Sequence, residues 1–140
     1  MPSKTFAGQY TSLEAIADFI VQASQEAGFD SKNIYAVQLA VDEACSNIIE
    51  HGYSEQEHGE ICCSYEVLDS GLKITLQDWG ASFNPDEVPE PNFEVELGDL
   101  KPRGAGLYFI KKLMDEVEFN FDSGDGNLLI MIKRKEDTTP

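Results

Sequence analysis

Three short stretches of this 140-residue chain hold polar residues at spacings that could do chemistry. The first is Glu43 and Asn47. Four positions apart on a helix, they share one face about 6 Å apart along the axis. The amide oxygen of Asn47 is a hard donor suited to a hydrated cation such as Mg²⁺. Glu43 beside it could accept a proton from an attacking hydroxyl. Taken alone, an intrahelical hydrogen bond on a solvated face is the simpler reading of this pair. The second stretch runs from Gln77 through Asp78, Trp79 and Gly80 to Pro85. A carboxylate where a strand ends can accept a hydrogen bond from an exocyclic amine such as adenine's. Gly80 permits a close backbone approach. An ordinary turn after a strand would look the same. The third is Arg103-Gly104-Ala105-Gly106-Leu107, which opens a helical pattern. Glycines at a helix start bare backbone N–H groups, and the helix dipole favours an anion there. The stretch lacks the Lys-Ser/Thr of a P-loop and the preceding strand of a dinucleotide-binding turn.

The elements that must position these residues can be read from periodicity. Leu13, Ile16, Ala17, Ile20 and Val21 form one stripe of a first helix, capped by Thr11 or Ser12 and ending near Gly28. Ile34, Val37, Val41, Ala44 and Ile48 recur at steps of three and four, which predicts a second helix with Ser31 as its cap and Gly52 as its stop. Residues 61–68 and 72–77 read as strands joined at Asp69-Ser70-Gly71. A long acidic, aperiodic stretch follows, with Pro85, Pro89, Pro91 and Pro102; loops of this length in compact domains are often functional. Residues 104–116 return to a helical pattern through Leu107, Ile110, Leu113 and Met114. Two more strands are expected at 117–121 and 128–132, turned by residues 123–127. A further strand near Phe6 is possible. Hairpin-linked strands with separate helices imply an α+β fold, with a mixed, mostly antiparallel sheet covered by helices on one face.

Composition bounds the function. The length suits a single domain spanning 1–140, with a frayed tail at 135–140. The formal net charge is −16, from 26 acidic and 10 basic residues. Nucleic-acid binding draws its affinity from neutralising phosphates, so this balance argues against direct contact with DNA or RNA. It suits a basic protein partner, and it also serves plain solubility. No apolar run approaches the roughly 18 residues of a membrane helix. The N-terminus has no apolar signal core, so a cytoplasmic location is expected. Cys45, Cys62 and Cys63 are odd in number and two are adjacent, which argues against a disulfide framework and for a reducing compartment.

In combination the three stretches gain force. Glu-x-x-x-Asn on a helix, Asp-x-Gly after a strand, a loop, and Gly-x-Gly-Leu opening a helix resembles the GHKL (Bergerat-fold, HATPase_c) group of ATP-binding proteins, along nearly the whole chain. The run Val41-Asp42-Glu43-Ala44-Cys45-Ser46-Asn47-Ile48-Ile49-Glu50-His51-Gly52-Tyr53 is similar to a motif of the anti-sigma factor serine/threonine kinases. The run from Gly104 to Val117 is similar to their glycine box. The resemblance implies a two-layer α/β sandwich of Bergerat type that binds ATP and Mg²⁺. It implies Asn47 as the metal ligand and Glu43 as general base. It implies Asp78 as reader of the adenine amine with Gly80 beside it, and Gly104 and Gly106 as phosphate donors next to Leu107. Arg103 is placed for a phosphate contact, with Lys101 as its rival. Residues 84–103 would form the ATP lid. The implied reaction passes the γ-phosphate to a serine or threonine of a STAS-domain anti-anti-sigma protein, in a partner switch that also involves a sigma factor. A homodimer is the expected assembly.

Two other readings are kept. The chain could bind ATP and sequester a partner without phosphoryl transfer, although an intact Glu43 is then superfluous. It could be a detached sensor-kinase ATPase domain, but neither His51 nor His58 has the long flanking helix of a phospho-acceptor. His51 reads as a helix-end residue, and Trp79 as lid or core packing rather than a stacking platform.

Overall fold

The computed structural model describes residues 2–52, 59–79, 110–123 and 126–135. Five strands make one sheet: β1 (Ser3–Ala7), β2 (Glu60–Leu68), β3 (Gly71–Asp78), β4 (Glu116–Ser123) and β5 (Gly126–Arg134), in the order β1-β2-β3-β5-β4. Every pairing among them is antiparallel. Two long helices, α1 (Leu13–Glu26) and α2 (Ser31–Asn47), precede β2. Residues 110–113 are also helical. This is the expected α+β architecture with a largely antiparallel sheet; among the described residues no parallel pair accompanies it. Among the same residues, no helix is long and apolar enough to cross a membrane.

The period-2 alternation of the strands explains the layering. Ile61, Cys63 and Tyr65 of β2, Leu72, Ile74 and Leu76 of β3, and Leu129 and Met131 of β5 are all buried, while the residues between them are half-buried or exposed. Successive side chains of a strand point to opposite faces, so these residues share one face. They form a single core with Ile16, Ile20 and Ala23 of α1 and Val37, Ala40, Val41 and Ala44 of α2. The α2 stripe is buried as its spacing predicts. That of α1 is wider than expected, since Ala23 is buried and Phe19 packs against the core as well.

Local chemistry sets the element ends. Asp30, not Ser31, caps α2, its carboxylate accepting the Asn33 N–H at 2.9 Å. Ser31 is already the first helical residue. Asp30 has the extended backbone of a cap and can reach that donor. Ser12 precedes α1 but makes no side-chain cap bond, because a 3-10 turn over Tyr10–Ser12 gives it helical backbone angles. At its far end α2 runs into a π-helical turn, Ile48–Gly52, so the helical path does stop at the expected glycine. Gly71 sits where β5 crosses closely: a Cβ there would lie 2.1 Å from the Lys133 carbonyl oxygen.

Long-range contacts lock these pieces. Phe6 of β1, Phe19 of α1 and Tyr65 of β2 stack edge to face, with ring centroids 6.0 and 5.3 Å apart. The Tyr65 hydroxyl donates to the Glu26 carboxylate at 2.5 Å. Lys133 donates to the Leu113 carbonyl at 2.9 Å, and the Asp115 carboxylate accepts the Arg134 N–H at 2.6 Å. These two bonds moor the short helical stretch to β5. Ile110 and Met114 meanwhile enter the core. All three cysteines are free.

Asp30→Ala should lower stability by about 1 kcal/mol in denaturant titration, the usual loss for an N-cap. Tyr65→Phe should cost about 1 kcal/mol at neutral pH, the net worth of one hydrogen bond. The bond to Glu26, and secondarily burial, raises the Tyr65 phenol from 10.0 to about 12. A group raised on folding stabilises fully below its unfolded value and loses that contribution as pH climbs through the folded one. The gap between wild type and Tyr65→Phe should therefore close between about pH 10 and 12.

Candidate functional site

The helix α2 has to bury an apolar stripe and still present polar groups at its C-terminal end. Glu43 is half-buried on its flank. Burial first, and the neighbouring Asp42 charge second, push its carboxyl above the ordinary carboxylate range. That shift brings it closer to the working range of a general base. One turn on, Asn47 is buried, with 6% of its surface exposed. Among the described residues its amide nitrogen has no hydrogen-bond partner. A buried polar atom left in this state costs about 1–3 kcal/mol, which a bound ligand would return. A half-turn of the carboxamide exchanges that nitrogen for the oxygen, the kind of donor Mg²⁺ takes. Mg²⁺ keeps most of its waters and needs only one or two protein ligands beside substrate phosphates. The absence, among the described residues, of any larger metal-ligating cluster is in keeping with such a site.

Asp78 closes β3, with 7% of its surface exposed. It is the only buried carboxylate among the described residues. In the register it stands opposite Ile61 of β2 on one side and Asn127 of β5 on the other. The Asn127 amide donates to Asp78 Oδ1 at 3.1 Å. Beside it, Gly126 has φ +87°, and a Cβ there would lie 2.5 Å from the Asp78 carbonyl oxygen and 2.8 Å from Trp79 Cδ1. Trp79 is 54% exposed, so the expectation of core packing for it is corrected. An indole at the end of β3, past the last buried position, has no core to enter.

Cys45 ties the two halves together. Its thiol is buried on α2 and hydrogen-bonds Cys63 of β2. That bond first, then burial, then the charges of Cys63, Asp42 and Asp78 push it well above the usual thiol range. An effect of Asp78 on a residue between Glu43 and Asn47 places the polar end of α2 near the end of β3. Glu43, Asn47 and Asp78 therefore converge. Gly80, Arg103, Gly104, Gly106 and Leu107 lie outside the described residues, as do the lid segment 84–103, Lys101 and His58. His51 falls in the π-helical turn. Gly126 and Asn127 were expected only as turn residues. Their partnership with Asp78 depends on β5 lying beside β3, which no local pattern announces. The one signal for it was a Gly-Asn pair at the start of an otherwise apolar strand.

Comparison with known proteins agrees with this arrangement. Residues 6–133 match the family model of the histidine kinase-like ATPase domain. The serine-protein kinase RsbW of Listeria innocua is 29% identical over 120 residues, covering 83% of this chain and 75% of that protein. RsbW of Bacillus subtilis strain 168 is 33% identical over 103 residues, covering 69% of this chain and 63% of that protein. That of Halalkalibacterium halodurans is 35% identical over 101 residues, 69% of this chain and 61% of that one. The chain thus spans less than two thirds of the latter two. Among solved structures, the RsbU and RsbW domains of a Mycobacterium tuberculosis protein superpose with a TM-score of 0.61 at 15% identity, over 96% of this chain and 32% of that one. The histidine kinase domain of an Erythrobacter litoralis blue-light-activated kinase gives 0.55 at 17% identity, over 89% and 59%. Such distant structures speak to the fold alone. With a family model running from β1 to β5, the chain belongs to the histidine kinase-like ATPase domain family and is similar, within it, to the RsbW serine-protein kinases.

Proposed function

We propose that this chain is a serine/threonine protein kinase that binds Mg·ATP and phosphorylates a STAS-domain anti-anti-sigma partner, in a switch that also engages a sigma factor. The observation that carries the reading is the pairing on α2 of a half-buried, pKa-raised Glu43 with a buried, unpartnered Asn47 amide, one turn apart. A protein that only sequesters a partner has no use for a base in that position. The names of the similar proteins, serine-protein kinases, support the reaction class. A homodimer is part of this proposal.

Phosphoryl transfer needs positioning and charge stabilisation more than covalent chemistry. When bound, Mg²⁺ neutralises charge on the phosphate oxygens. Asn47 would hold it. Glu43 takes the proton of the partner's serine hydroxyl as the oxygen attacks. Asp78 accepts a hydrogen bond from the 6-amino group of adenine, with Gly80 giving the base room. Gly104 and Gly106 offer N–H groups to the phosphates at the start of the helix that Leu107 continues. Arg103 adds a cation there, and residues 84–103 cover the nucleotide and exclude water.

Glu43→Ala should cut phosphate transfer to the partner by about 100- to 10,000-fold, the usual worth of a general base. ATP affinity should stay within a few-fold of wild type. The assay is γ-phosphate-labelled ATP with Mg²⁺ and the STAS-domain protein encoded nearest to this gene. Unchanged transfer refutes the base assignment. No transfer by wild type, with ATP binding intact, favours sequestration instead. Only the ionised carboxylate can accept the proton, so the wild-type rate should fall on acidification at a pH above the ordinary carboxylate range. Asp78→Asn should weaken ATP by about 10- to 100-fold, the worth of a charge-assisted hydrogen bond. Titration calorimetry with ATP and GTP checks this, since equal loss of both nucleotides removes Asp78 from base recognition.

A further inference from the structure

We propose that Asn127 is a positioning residue for base recognition: its amide, seated by Gly126, fixes the Asp78 carboxylate in the orientation that selects a 6-aminopurine nucleotide. This inference rests on the reading of Asp78 given above.

The terminal torsion of an aspartate is soft and roughly two-fold, so an untethered carboxylate samples a broad arc. A recognition carboxylate has to hold one direction, because a hydrogen bond weakens steeply as its angle departs from linear. Here the tether comes from the adjacent strand. Asn127 and Asp78 are direct partners in the β3–β5 register, and the amide nitrogen reaches Asp78 Oδ1 at 3.1 Å. Both side chains are buried. A carboxylate offers about four acceptor positions over its two oxygens. A donor at Oδ1 fixes the carboxyl plane and leaves acceptor capacity for a ligand amine. Guanine or hypoxanthine presents a carbonyl oxygen at the same place, which a fixed carboxylate repels.

Strand pairing alone does not call for a polar side chain at this position. The β3–β5 ladder runs unbroken from Gly71 opposite Arg134 to Asp78 opposite Asn127. The other inward positions of β5 next to it, Leu129 and Met131, are apolar and buried. Asn127 is the polar exception, and it faces the only buried carboxylate described. Gly126 contributes separately. Its left-handed backbone and missing Cβ let β5 begin against the Asp78 carbonyl and the Trp79 ring, where a Cβ would be 2.5 and 2.8 Å away. Side chain and backbone of Asp78 are thus held by two consecutive residues.

The test compares affinities for ATP and for purine riboside triphosphate, which lacks the 6-amino group, in wild type, Asn127→Leu and Asn127→Ala. Wild type should favour ATP by about tenfold or more, the worth of one charge-assisted hydrogen bond. In both variants that ratio should collapse to within about threefold, through loss of ATP affinity, while purine riboside triphosphate binds nearly as before. Thermal melting of the nucleotide-free proteins identifies folded variants, and either variant suffices. Retention of the wild-type ratio, or an equal loss for both nucleotides, overturns the role of Asn127 while leaving that of Asp78 standing. A wild type that does not distinguish the two nucleotides overturns the reading of Asp78, and the inference with it.

Discussion

The packing of α2 against the sheet governs where each polar group of the site can be. Val37, Val41 and Ala44 are buried on one stripe of that helix, and helical geometry then dictates the rest. Residues one position off the stripe, such as Glu43, come to the margin of the core. Asn47, three residues after Ala44, is carried inward at the end of the helix. The site is therefore not added to a finished fold. Its half-burial, which raises the Glu43 carboxyl and leaves the Asn47 amide without a partner, follows from the same contacts that stabilise the molecule. Cys45 shows how close that coupling is. It fills the core between the two chemical residues and bonds across to Cys63 on the sheet.

Most of the fold was legible in the sequence because its signals are local. The three- and four-residue steps of Ile34, Val37, Val41, Ala44 and Ile48 can be satisfied only by a helix. The two hairpins have short turns, so their strands could be paired by inspection. Boundaries were less certain, as the choice between Asp30 and Ser31 shows. Which residue caps a helix depends on a backbone angle, and both residue types are acceptable caps. For the site, Glu43, Asn47 and Asp78 could be singled out because their spacing repeats a known pattern. Asn127 could not. Its meaning comes from the strand order, in which β5 inserts between β3 and β4, and no run of neighbouring residues encodes that order.

The net charge of −16 is divided unequally between these roles. Among the described residues only one buried carboxylate is present, and it is held by an amide. The other described acidic groups lie at least partly in water, where they repel one another weakly and favour solubility and the approach of basic partners. The acidic character of the chain is thus a property of its surface. The one carboxylate that is taken inside has a neutral neighbour as its donor, so its charge is oriented without being cancelled by a cation.

The hydrogen bond between Asp78 and Asn127 joins residues 49 apart in sequence. The hairpins β2–β3 and β4–β5 each close over a few residues and can form early. Bringing one hairpin beside the other requires closing a much longer loop, and non-local closures of that kind slow folding. The purine-reading corner is thus completed only when the two hairpins have docked. A chain emerging from the ribosome would carry Glu43 and Asn47 on a formed helix well before it could recognise a base. Nucleotide would then act as a late selector of completed molecules, adding its binding free energy to the docked state alone.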